Sequence, residues 1–220
     1  MGKRPYFLIF PALLLPALPA LLGGWAVVSV DQLPEYLVAR QATTLTFMVR
    51  QHGITPLKGV HPVLVARTGS KSVQGTVAPG RADGQYVASF SVPEPGDWTL
   101  TIESGWGNSK LTLLPIKAIA AGTAQPIALA AAELGRHLFV AKGCVGCHVR
   151  SEANLEQGAE IGPSLTGKRW AQEWLQRFLA NPAMADRPRT GSFVMPNLNL
   201  RQTEIAGLVA FLNGDTRATY

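Results

Sequence analysis

The sequence predicts a multidomain chain: an N-terminal transmembrane helix, then an antiparallel β-sandwich, then an all-α C-terminal domain. Three observations predict it. Lys3 and Arg4 precede a run from Tyr6 to Val30 without a charge, period-two alternation fills the middle of the chain, and from Glu133 apolar residues recur at helical spacing. The 220 residues divide on this pattern into 1–26, 27–116, a linker over 117–132, and 133–220.

Basic residues ahead of an apolar run place the N-terminus inside a membrane and the rest of the chain outside. Tyr6 to Ala26 has the length of about 20 residues that a spanning helix needs. Pro11, Pro16 and Pro19 would kink it, which membrane helices tolerate. Gly24-Trp25-Ala26 also offers a small-x-small cleavage site, so a removed secretory signal stays open beside the preferred reading of an anchor through residues 6–26. No cysteine lies near this segment, which excludes lipoprotein-type lipid attachment. The expected location is the bacterial cytoplasmic membrane, crossed once, with the bulk of the chain on the periplasmic or extracellular side.

Strand-like runs follow at Thr43 to Gln51, His61 to Arg67, Gln85 to Val92, Asp97 to Ser104 and Ser109 to Ile116. They are rich in Val, Thr, Leu and aromatics and are separated by turn signals such as "QHG", "PGRADG" and "PEPG". Roughly 90 residues of this pattern suit one immunoglobulin-like (Ig-like) module. A copper-binding sandwich of similar plan needs a cysteine ligand, and this region has none. His52, His61 and Met48 could bind copper without one, but the histidines flank turns, and alternation reads Met48 as pointing inward.

Net charge is +6, yet the excess is scattered. Val27 to Pro115 carries seven basic against six acidic side chains, and the chain from Glu133 onward carries ten against eight. Such balance argues for an ordinary solvated surface and against nucleic acid as a partner.

"KAIAAGTAQPIALAAA", Lys117 to Ala132, reads as a linker that turns helical towards its end. A first helix puts Leu134, Leu138 and Ala141 on one face and stops at Gly143. A second aligns Trp170, Trp174 and Phe178 before Asn181-Pro182, and a third aligns Ile205, Leu208, Val209 and Leu212 before Asn213-Gly214.

Between the first two helices stands "KGCVGCHVRS", which holds both cysteines of the chain, Cys144 and Cys147, with His148 directly behind. A structural zinc site needs four ligands, and His52 and His61 lie far upstream in the strand-rich region. A thioredoxin-like pair needs an alternating strand and helix context, which is missing. Covalent attachment of haem c uses all three residues: both thiols bond to the porphyrin and the imidazole lies under the iron.

The segment from Glu133 to Asp215 resembles a class I cytochrome c domain. The resemblance rests on order: a first helix, "CVGCH", a "GPSL" turn at Gly162 to Leu165, a helix ending in "NP", a "MPNLNL" loop at Met195 to Leu200, and a last helix with "EIAGLVAFL". It implies one covalent haem c, His148 and Met195 as axial iron ligands, and Pro163 as the carbonyl acceptor for the second ring nitrogen of His148. Met184, the other methionine here, follows the "NP" stop rather than leading into the last helix. The position three before the last helix's glutamate is Arg201 rather than Ser or Thr, so Asn199 or Thr203 is expected to cap instead.

A His/Met haem has no open position for substrate, which implies a single-electron carrier rather than an enzyme, with protein donors and acceptors as partners. The added sandwich resembles the plan of an accessory cytochrome in a respiratory or photosynthetic membrane complex, such as a terminal oxidase or an alternative complex III. The alternatives are a haem sensor or small peroxidase with displaceable Met195, and a structural assembly subunit.

Overall fold

The computed structural model describes residues 24–151, 161–184 and 194–214. The expected membrane helix lies outside them except for Gly24 to Ala26, and Ala26 already opens the first strand. No helix among the described residues is long and apolar enough to cross a membrane.

The strands are β1 (Ala26–Val30), β2 (Leu37–Val38), β3 (Thr43–Gln51), β4 (Thr55–Pro56), β5 (Val63–Thr68), β6 (Lys71–Gln74), β7 (Thr76–Pro79), β8 (Gln85–Phe90), β9 (Gly96–Glu103), β10 (Lys110–Thr112) and β11 (Ile116–Ile119). One sheet runs β1-β3-β8-β7 with β4 beside β3, and the other runs β2-β11-β9-β5-β6 with β10 beside β9. Every strand pair is antiparallel except β11 with β2, which corrects the purely antiparallel expectation. Those two strands lie at opposite ends of the sandwich sequence, so no hairpin dictates their direction.

Alternation decides which side chains enter the core. In β3, Leu45, Phe47 and Val49 are buried between the sheets, where they meet Leu64, Trp98, Leu100 and Ile102. Met48 faces the other way and is half-buried, a correction to its inward reading. The Trp98 indole N–H, buried with the ring, donates to the Glu94 carbonyl at 3.1 Å. The last expected strand splits at Leu113 to Pro115, since proline gives no N–H to a ladder. Its second half, β11, runs to Ile119, so the linker is shorter than 117–132.

The helices are α1 (Ala131–Ala141), α2 (Gln172–Ala180) and α3 (Gln202–Asn213). α1 and α3 cross where Gly135 meets Gly207. A Cβ on Gly135 would lie 1.9 Å from the Gly207 carbonyl oxygen, so only glycine permits this approach. Phe139 and Phe211 close the crossing with ring centroids 5.6 Å apart. On α2 the buried face is Leu175 and Leu179; Trp174 and Phe178 stack at 5.0 Å but are half-buried, and Trp170 precedes the helix. The N-cap of α3 is Arg201, not Asn199 or Thr203. Arginine has no acceptor to offer, so the cap comes from Glu204, whose carboxylate accepts from the Arg201 backbone N–H at 2.9 Å and its guanidinium at 2.6 Å.

The two regions pack directly against each other. Lys142, just past α1, is buried with its ammonium 2.8 Å from Glu204 and 2.6 Å from the Asp31 carbonyl oxygen. Gly143 has φ 75°, and a Cβ there would sit 2.6 Å from the Val28 carbonyl. Glycine is therefore required both by backbone conformation and by contact with β1.

Candidate haem site

Gly143 turns the chain out of α1 and into a tight turn. Cys144–Gly146 form a single 3-10 turn, and the Cys144 carbonyl accepts from Cys147 N–H at 3.1 Å and from His148 N–H at 2.9 Å. Three chemically active side chains are thereby held by one short loop. Cys144, Cys147 and His148 all line a cavity of about 230 Å³, together with Gly162, Pro163 and Met195.

The His148 ring is fixed from two sides. Its Nδ1 lies 3.0 Å from the Pro163 carbonyl oxygen, to which the N–H donates, leaving Nε2 with its lone pair free to bind a metal. Gly162 lies against the ring: a Cβ there would come within 2.5 Å of Cε1, and the Gly162 N–H ties this segment to the Cys147 carbonyl at 2.8 Å. Burial lowers the imidazole pKa against the opposing effect of the Pro163 bond, which keeps the ring neutral. Behind it, buried Arg150 donates to the Leu165 carbonyl at 2.8 Å and stands over the Phe211 ring, tying the loop to α3.

The surroundings of the two thiols raise their pKa. Burial, then the neighbouring Cys147, pushes the Cys144 thiol up to about 12, and burial raises Cys147 as well. Catalytic Cys-x-x-Cys pairs are lowered instead. Neither thiol is in a disulfide.

The methionines separate clearly. Met195 is half-buried in the cavity wall ahead of Pro196, while Met184 sits in a short 3-10 turn (Pro182–Met184) and is exposed. His137, at 3.3 Å from Glu133, lines a different groove, between Leu33 and Leu134. His61 borders a third cavity beside Gly59 and Asp83.

Four cavity residues were not legible in the sequence: Val27, Arg50, His52 and Gly53, all from the sandwich. Antiparallel register pairs Val27 with Arg50, so both project from the outer face of the β1–β3 ribbon. His52 and Gly53 form the turn after β3 with φ 53° and 73°. Asparagine is the ordinary residue at the first of two such positions, and a histidine there was the one available signal.

Two thiols, a neutral imidazole with a free nitrogen and a thioether around one cavity fit a covalently held haem. Residues 132–214 match the cytochrome c family model. The C-terminal region is a c-type cytochrome domain. It binds haem c covalently and is a domain of the electron-transfer type. The match leaves the sandwich outside it.

No curated protein matches the chain. Among solved structures, surface layer protein SbsC, domains 1-6, is similar at 17% identity over 44% of this chain and 13% of that one, with a TM-score of 0.33. The ZirS C-terminal domain is similar at 15% identity over 54% of this chain and 81% of that one, with a TM-score of 0.28. Both likenesses are too slight to carry fold or function across.

Proposed function

We propose that this protein is a membrane-anchored monohaem cytochrome that passes single electrons between protein partners on the periplasmic face, as a subunit of a respiratory or photosynthetic complex. The observation that carries the reading is the convergence of Cys144, Cys147, the oriented imidazole of His148 and Met195 on one cavity. The two cysteines would hold the haem through thioether bonds, and His148 Nε2 and the Met195 sulfur would bind its iron. When bound, the haem supplies one-electron cycling between ferric and ferrous iron.

The chain's own residues do the rest. The Pro163 carbonyl fixes the His148 tautomer and makes the imidazole a stronger donor. Gly162 lets the ring seat closely, and Pro196 restricts Met195 to extended backbone, so the thioether strap is held in place. With His148 and Met195 both bound, the iron would have no open position for substrate, which supports electron transfer over catalysis.

Anchoring is supported by Lys3 and Arg4 and by the 20 uncharged residues from Tyr6 to Trp25, the stretch left once Ala26 enters β1. The Ig-like sandwich serves as a docking or spacing module within the complex. Membrane fractions washed with alkaline carbonate should retain the full chain and release one that starts at Gly24; release of both would overturn anchoring.

The ligand set is tested by the far-red absorption band of a methionine sulfur bound to ferric iron. The oxidised protein should show it, and Met195→Ala should abolish it while Met184→Ala leaves it intact. A high-spin spectrum without the band in the wild type would overturn the reading in favour of ligand sensing or peroxide chemistry.

A further inference from the structure

The sandwich does more than adjoin the cytochrome domain, because it brings a cation to the haem cavity. Strand alternation in β3 sends Leu45, Phe47 and Val49 into the core and Arg50 out through the opposite face, where it lines the cavity with Cys144, Cys147 and His148. There its guanidinium donates to Ser29 Oγ at 2.9 Å, a neutral acceptor from the neighbouring strand. No carboxylate among the described residues lies within ion-pair distance of it.

Lys142 provides the contrast. It lines the same cavity, but it has an acid partner, Glu204 at 2.8 Å, which it shares with Arg201. Arg50 is half-buried, and that burial lowers its pKa with no opposing acid to raise it. Half-burying a charge without a partner is costly, and arginine stays protonated regardless.

We infer that Arg50 tunes the haem: its positive charge, delivered by the sandwich and held by a neutral hydroxyl with no carboxylate partner among the described residues, favours the ferrous over the ferric state and raises the reduction potential of the cytochrome domain. The inference rests on the electron-transfer reading above. Taking up one electron from a protein donor lowers the charge of the iron site by one unit, so a fixed cation nearby stabilises the product. Ser29 and the β1–β3 pairing hold that cation in place, which makes Arg50 a positioning residue of the sandwich rather than an iron ligand. The effect is on the order of tenfold in the ferrous-to-ferric ratio for a unit charge roughly 10 Å away at an effective dielectric of about 20.

The test is the reduction potential of the full-length holoprotein, measured by spectroelectrochemistry on the wild type, Arg50→Gln and Arg50→Lys. Arg50→Gln should lower the ferrous-to-ferric ratio at fixed applied potential about tenfold, which for one electron is about 59 mV. Arg50→Lys should keep most of the wild-type value. A potential unchanged by Arg50→Gln overturns the inference. Equal falls in Arg50→Gln and Arg50→Lys overturn it too, because they would report lost packing and not lost charge. The far-red methionine band, recorded on each variant, separates the two readings. Its presence with an unmoved potential sinks the role of Arg50 alone, and its absence from the wild type sinks the ligand set on which the inference rests.

Discussion

In the sandwich the large side chains are sealed: Phe47, Leu64, Trp98, Leu100 and Ile102 have no exposure. In the cytochrome domain Trp170, Trp174, Phe178, Met195 and Leu200 are only partly buried, although Phe139, Ile205, Leu208 and Phe211 are fully so. Two sheets of alternating residues can close a core with their own atoms. The three short helices described in the cytochrome domain bury less, and a domain of that size ordinarily needs a covalent staple or a bound group. The sandwich closes its core with its own side chains, whereas the cytochrome domain is expected to depend on its covalent haem for part of its stability.

The largest effect should come from removing that group. Cys144→Ser with Cys147→Ser should abolish the covalent haem by haemochrome assay and remove most of the helical circular dichroism. The near-ultraviolet signal of buried Trp98 should persist. Loss of both signals would show that the sandwich depends on its neighbour.

Gly135→Ala attacks the helix crossing without touching the haem motif. With a Cβ 1.9 Å from the Gly207 carbonyl, the helices must separate, at a cost of roughly 3 kcal/mol in denaturant titrations that follow the helical signal.

Glu204→Gln tests the joint between the halves. Burial raises this carboxyl, but hydrogen bonds from Lys142 and Arg201 outweigh it and hold the pKa below its ordinary value of 4.5. A depressed folded-state pKa gives stability that is complete above about 4.5 and is lost as pH falls below it. The variant should lose about 2 kcal/mol at neutral pH, less than a fully stripped buried pair because the amide keeps some hydrogen bonds. Its stability should also fall less steeply with acid than the wild type's. An unchanged acid limb would mean that other carboxylates dominate.

The smallest effect belongs to the sandwich surface. Lys58 and Asp83 pair at 2.8 Å with both side chains mostly exposed, so Lys58→Ala should change stability by less than about 0.5 kcal/mol.

Much of the fold was readable because periodicity reports burial. Thr43 to Gln51 showed as a strand since three of its residues had to face a core, and α3 showed because its apolar residues recur every three or four positions. The edge strands β6 and β7 were missed: Lys71–Gln74 and Thr76–Pro79 are largely exposed and carry no apolar period. β1 was hidden for the opposite reason, since Ala26–Val30 continues the uncharged run of the N-terminal segment. On α2 the aromatic spacing pointed to the Trp174 face, whereas packing chose Leu175 and Leu179.

The sequence by itself determined the chemistry. Cys-x-x-Cys-His compresses both thiols and the imidazole into one turn, and local backbone geometry is enough to bring them together. Only the tertiary structure decided what else surrounds that turn. Val27, Arg50 and His52 lie about a hundred residues upstream and reach the cavity through sheet register, a glycine contact at Gly143 and the buried Lys142–Glu204 pair. Local spacing has no means of encoding such a meeting, because it depends on how two finished surfaces fit.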